Sequence, residues 1–250
     1  MANAPIIKVR HLIAGYGEDI ILDDVSFDVF HGEIFVILGG SGCGKSTLLK
    51  HMIGLIRPIS GRVIIDGDDI TNCSEEKFHA ILQKMGVLYQ SAALLGSMTI
   101  GENIELPIRE YTDLSEEAIT TLVQMKLNLV HLEGYRDHLP SEISGGMKKR
   151  AGLARAMAMD PDILFFDEPS AGLDPVSSRL LDELILELRE SLKTTLVVVS
   201  HELASIFTIG NNSIYLDVDE RTMTASGDPR KLRDHSPNPS VHKFLTRGEE

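Results

Sequence analysis

Gly39-Gly40-Ser41-Gly42-Cys43-Gly44-Lys45-Ser46 fits the spacing GxxxxGKS and lies between the apolar run Ile34-Phe35-Val36-Ile37-Leu38 and the helix-forming Thr47-Leu48-Leu49-Lys50. A strand that passes through a Gly-rich loop into a helix is the context in which such a loop cradles phosphate. Glycines let successive backbone N–H groups converge on phosphate oxygens, and the helix start adds its positive end. In that reading residues 39–47 bind a nucleotide, Lys45 reaches the β- and γ-phosphates, and the Ser46 hydroxyl holds Mg²⁺. The bland alternative is a Gly-rich turn with an exposed lysine. Cys43 reads as a tolerated variable position of the loop rather than a redox site.

Outward from the loop, short β-branched runs recur and each ends in polar punctuation. Arg62-Val63-Ile64-Ile65 leads into Asp66-Gly67, Ile163-Leu164-Phe165-Phe166 into Asp167-Glu168, and Thr195-Leu196-Val197-Val198-Val199 into Ser200-His201. Runs without polar alternation predict strands buried on both faces, the habit of a parallel sheet covered by helices. The chain reads as one interrupted sheet. Leu181, Leu184, Ile185, Leu188 and Leu192 recur at helical spacing, with Asp174 as N-cap and Pro175 in the first turn. From about Ser91 to Ile143 no comparable run appears. Helical patterns replace it, one of them capped by Ser115 with an incomplete capping box, so this stretch predicts a helical insertion in an α/β core. Pro237-Asn238-Pro239 reads as the one weakly structured segment; Val241, Phe244 and Leu245 beyond it either pack on a neighbour or remain mobile.

The 250 residues carry net charge −13, with 43% hydrophobic and 24% charged residues, which argues against disorder and against nucleic acid or an anionic bilayer as a direct partner. No apolar run approaches the ~20 residues of a membrane helix. The start Met1-Ala2-Asn3-Ala4-Pro5 lacks the pattern of a secretory signal, and two cysteines, Cys43 and Cys73, make no disulfide framework. These features predict a soluble protein of a reducing compartment.

The chemistry gathers at strand ends. Asp167, ending an apolar run, is placed to position Mg²⁺, and Glu168 to deprotonate a water; a second carboxylate is not needed for binding and so argues for hydrolysis. Alone, such an acidic pair is a solvated turn, and the upstream loop decides between the two. His201 follows another run at the same carboxyl edge, where open α/β sheets bind ligands. Ser144-Gly145-Gly146 before Met147-Lys148-Lys149-Arg150 and a small-residue helix makes a second anion-binding helix start. One chain already has such a site, so the spare one points to a nucleotide held by a second copy, in two composite sites across a two-fold dimer.

In this ordered set the sequence resembles the ATP-binding cassette (ABC) family of ATPases over about residues 6 to 230, and residues 1–250 read as a single α/β ABC ATPase domain. The resemblance implies a P-loop NTPase fold with a mostly parallel sheet, an N-terminal antiparallel β portion and a helical subdomain. Core segments then fall at about 6–90 and 157–230, the subdomain at about 91–156 and a C-terminal tail at about 231–250. It also implies that Tyr16 stacks on adenine, that Gln90 and His201 contact Mg²⁺ or water and the γ-phosphate, that Ala171-Gly172-Leu173-Asp174 is the D-loop, and that Ser144, Gly145 and Gly146 close on the partner's ATP. Ile143 stands where Leu is usual and Met147 where Gln is usual. Within the family, Gln90 to Thr99, Ser144 to Ala156 and Phe165 to Pro175 look like the ATPases of Mla-type phospholipid transport systems. That likeness implies a homodimer at the cytoplasmic face of the bacterial inner membrane, touching the bilayer only through an integral-membrane permease, with an Mce-type substrate-binding protein and a small accessory subunit. Leu94, Leu95 and Met98 either receive a coupling helix of the permease or pack within the helical insertion.

A transporter of another substrate is the alternative within the family. A soluble ABC ATPase acting on DNA or ribosomes is the alternative outside transport, and neither a long coiled-coil insertion nor a second cassette is present to favour it. A pure nucleotide-binding scaffold fits poorly with Glu168.

Overall fold

The computed structural model describes residues 4–248, so expectations about residues 1–3 and 249–250 lie outside the described residues. Strands β1 (Pro5–Tyr16) and β2 (Asp19–Phe30) form an antiparallel hairpin, and β3 (Ile34–Gly39) runs through the glycine loop into α1 (Lys45–Met52). β4 (Ser60–Ile65) and β5 (Asp68–Asp69) follow, then α2 (Glu75–Leu82) and β6 (Met85–Leu88). Helices α3 (Ile100–Tyr111), α4 (Glu116–Leu129) and α5 (Gly145–Ala156) come next without an intervening strand. The chain ends in β7 (Ile163–Asp167), α6 (Pro175–Leu192), β8 (Thr195–Val199), α7 (Leu203–Ile209), β9 (Asn212–Leu216), β10 (Met223–Ser226), α8 (Pro229–His235) and α9 (Pro239–Leu245).

The larger sheet has the order β10-β9-β3-β8-β7-β6 and is parallel except for the β9–β10 pair. Its central strands β3, β7 and β8 are buried on both faces, as their unbroken apolar runs predict, while the edge strands β6 and β10 are only partly buried. Phe35, Ile37, Phe165 and Val197 face one core with the antiparallel sheet and α1, while Leu164, Phe166 and Val198 face a second core built by α3 to α6.

The expectation of one interrupted sheet is corrected. A second sheet, β2-β1-β4-β5, is antiparallel, and Arg62 to Ile65 belongs to it rather than to the parallel sheet. Val63 and Ile65 are buried while Arg62 is exposed, the period-two burial of a strand covered on one side. A four-residue run holds too few alternations to tell the two arrangements apart.

Helix starts follow the local chemistry. The Thr99 hydroxyl accepts from the Glu102 N–H and the Glu102 carboxylate accepts from the Thr99 N–H, a full capping box, whereas Ser115 caps α4 through the Ala118 N–H alone. The α6 stripe is buried from Leu181 to Leu188, and only Leu192 in the last turn is exposed.

The tail is also corrected. The Asn238 side chain accepts from the Ser240 and Val241 N–H groups and Pro239 occupies the first turn, so the proline pair starts a helix. Val241 and Leu245 are fully buried against Val36, Leu38, Leu203 and Ile206, with the Phe244 ring edge-on to Tyr215. Neither a neighbour nor free motion is needed for them; the chain covers its own sheet. Among the described residues, no helix is long and apolar enough to cross a membrane.

Candidate nucleotide site

The loop between β3 and α1 opens at the carboxyl edge of the larger sheet. Gly44 there takes φ +98°, and a Cβ would come within 2.9 Å of Ile21, so both conformation and space require glycine. Lys45 is buried, and its Nζ donates to the Gly39 and Gly40 carbonyls at 2.9 Å each, which centres the ammonium in the loop. Cys43 points into the core beneath, where burial pushes its thiol pKa up and keeps it protonated, in keeping with a non-redox role.

β7 and β8 are parallel neighbours, so their carboxyl ends place residues distant in sequence side by side. The Ser46 hydroxyl donates to Asp167 Oδ1 at 2.9 Å. Glu168 sits just past β7 with φ +49° and donates its N–H to the Val199 carbonyl. Its Oε1 lies 2.8 Å from His201 Nδ1, and its Oε2 accepts from the His201 N–H at 3.4 Å.

These groups border a cleft of about 920 Å³, large enough for a nucleotide. Gly40, Ser41, Gly42, Gly44, Lys45, Ser46, Thr47, Gln90, Glu168 and His201 all line it. Gly39, Cys43 and Asp167 lie behind this lining, Asp167 in contact through Ser46. Tyr16 is not among the residues that line the cleft; it is 45% exposed, and its hydroxyl accepts from Lys50 Nζ at 3.2 Å. Hydrogen bonding from Thr47, then from Lys50, holds that phenol below the ordinary tyrosine pKa.

Sequence reasoning missed one wall. Ser240, Lys243, Phe244 and Arg247 of the C-terminal helix and its exit also line the cleft, and Arg247 pairs with Glu202 at 3.1 Å. The apolar spacing of Val241, Phe244 and Leu245 signals a packed helix, but nothing local tells which surface it covers.

Ser144, Gly145 and Gly146 are absent from the cleft lining of their own chain. Ser144 caps α5 by accepting from the Met147 N–H, and Gly146 packs so closely on α6 that a Cβ would lie 3.0 Å from Ser177 Oγ. Asp174 caps α6 through the Val176 and Ser177 N–H groups, and hydrogen bonds, first from the Ser177 hydroxyl, keep its carboxyl below the ordinary range. After Gln90, buried Asn103 fastens the loop by accepting from the Leu95 N–H and donating to the Leu95, Met98 and Thr99 carbonyls. Leu94 packs inward on the helical core, while Leu95 stays 44% exposed.

A family model described as "ABC transporter" matches residues 22–171. The intermembrane phospholipid transport system ATP-binding protein MlaF of Haemophilus influenzae is 40% identical over 92% of this chain and 86% of its own length, and that of Escherichia coli K12 38% over 97% and 89%. A Mycobacterium leprae protein named "Probable ribonucleotide transport ATP-binding protein mkl" is 42% identical over 96% of this chain, which spans only 68% of that relative. Among solved structures, an ATP-binding cassette captured as a dimer in a post-hydrolysis state with ADP and Pi has a TM-score of 0.80 at 29% identity, covering 89% of this chain and 98% of its own. With a family model over more than half of the chain and relatives about 40% identical over most of it, the chain belongs to the ABC transporter family and is one of its ATPases.

Proposed function

We propose that this ATPase energises a membrane transporter that moves phospholipid, working as a homodimer with two composite nucleotide sites. The observation that carries the dimer is the separation within one chain: Lys45, Ser46, Gln90, Glu168 and His201 share a cleft, while Ser144 to Gly146, at a helix start of the kind that suits an anion, do not line it. A second copy related by a two-fold axis supplies the missing wall of each site. The phospholipid assignment is supported by the MlaF relatives, which span nearly the whole chain.

Each residue then has a role. Backbone N–H groups of residues 40–47 and Lys45 bind the phosphates, and exposed Tyr16, in contact with Lys50 of α1, meets the adenine. Glu168, held by His201, takes a proton from water as its oxygen attacks the γ-phosphorus and ADP leaves. Ser46 and Asp167, two hard oxygen donors in contact, with Gln90 nearby, fit Mg²⁺, which would neutralise charge building on the phosphates. Among the described residues, no three His, Cys, Asp or Glu cluster as a metal cage, and an ion that takes most of its ligands from phosphates and water requires none.

The helices from α3 to α5 form the subdomain, about 91–156, that meets an integral-membrane permease, with exposed Leu95 in the docking surface. The permease holds the dimer at the cytoplasmic face of the bacterial inner membrane and works with an Mce-type substrate-binding protein and a small accessory subunit. Co-purification in mild detergent with this chain as bait, followed by mass spectrometry of protein and lipid, tests the assignment. A permease carrying bound phospholipid is expected; a nucleotide or amino-acid permease in its place overturns it.

A further inference from the structure

Lys149 lies on α5, five residues after Ser144, and is only 6% exposed. Burial pushes its ammonium pKa down, against the opposing pull of Asp167 and Glu168. An apolar residue would fill this inward position without burying a charge, so the cation must be explained by what it touches. Its Nζ donates to the backbone carbonyl of Glu168 at 3.3 Å. That carbonyl also accepts from the Ala171 N–H at 3.1 Å, and the Glu168 N–H is held by Val199. Glu168 itself has φ +49°, the left-handed region that a residue with a side chain occupies only when its surroundings impose it.

We propose that Lys149 is a positioning residue for ATP hydrolysis: from the signature helix it pins the Glu168 backbone in the left-handed conformation that carries the carboxylate into the cleft. The proposal rests on the reading of Glu168 as general base. It also places the capped start of α5, which meets the partner's nucleotide, and the grip on the base of its own site about 7.5 Å apart on one rigid helix.

The test uses the full-length dimer, with Glu168→Gln measured first. Near-normal turnover in that variant removes Glu168 as the base, whatever Lys149 does. In Lys149→Met, single-turnover hydrolysis is expected to fall about 10- to 100-fold, the size of a lost charged hydrogen bond felt in the transition state, while binding of a fluorescent ATP analogue and Tm stay unchanged. In the Glu168→Gln background the same substitution is expected to change residual turnover by less than about twofold, because its effect passes through Glu168. Unchanged hydrolysis in Lys149→Met overturns the proposal. So does an equal loss in both backgrounds, or a fall in nucleotide binding that accounts for the lost rate. If Lys149→Met fails to fold, Lys149→Leu, which also lacks a donor for the Glu168 carbonyl, is read the same way.

Discussion

Glu168, the general base in the proposed mechanism, is held from several directions: Val199 and Ala171 hold its backbone, and His201 its carboxylate. Replacement by Gln preserves shape and most hydrogen bonding but removes the ability to accept a proton. We expect Glu168→Gln to bind ATP normally, to accumulate as an ATP-bound dimer and to lose about 10²- to 10⁴-fold in turnover. Nucleotide titration, size-exclusion chromatography with ATP and a phosphate-release assay check the three parts, and a variant within a few-fold of wild type would refute the assignment. The acidic pair is legible in the sequence because it ends an apolar run. The left-handed backbone of Glu168 and its contact with His201 are not, since both depend on which strand lies beside β7.

Between elements, the buried contact of Asp182 with Ser205 joins α6 to α7, the helix that follows His201. Asp182 is 6% exposed, and its carboxyl pKa is pushed up to about 6, by burial first and then by Glu202 and Glu183, with the Ser205 hydroxyl pulling the other way. A folded-state pKa above the unfolded one means that the native protein binds the extra proton between about pH 4 and 6. This contribution to stability is present at the acid end and is lost as pH rises through about 6. Asp182→Asn, which keeps a hydrogen-bonding partner for Ser205, is free of that dependence. We expect the Tm of Asp182→Asn minus that of wild type to become more positive from about pH 5 to 7.5. Differential scanning calorimetry at both values decides, and a difference that is constant or shrinks argues against a buried, titrating Asp182. At this scale the sequence is legible where caps and stripes are local, as with Ser115, Asp174 and Leu181 to Leu188. It misleads at Pro237-Asn238-Pro239, because a proline pair serves a helix start as well as a loop and the difference lies in the surface that receives Val241 and Leu245.

For the molecule as a whole, composite sites make a prediction that a self-contained site does not. Ser144→Arg blocks the signature and Lys45→Ala the phosphate loop, so each homodimer should be inactive. Random mixing makes roughly half of the dimers hybrids, each with both lesions in one site and the other site intact, and so restores about a quarter of the wild-type rate if the sites act independently. No recovery, with hybrid dimers demonstrated by differential tags, would count against shared sites. The sequence by itself determined the family: GxxxxGKS, Asp167-Glu168, His201 and Ser144-Gly145-Gly146 are local patterns that can be read from residue type, spacing and position after a strand or before a helix, and the roles proposed for them start from that reading. Only the tertiary structure decided that the β-rich parts form two sheets, that α9 walls the cleft, that Lys149 is buried against Glu168, and that Ser144 to Gly146 do not line the cleft of their own chain. Each of these depends on which distant surfaces meet, and a short-range pattern is the same whether a neighbouring strand, a returning tail or a second copy covers it.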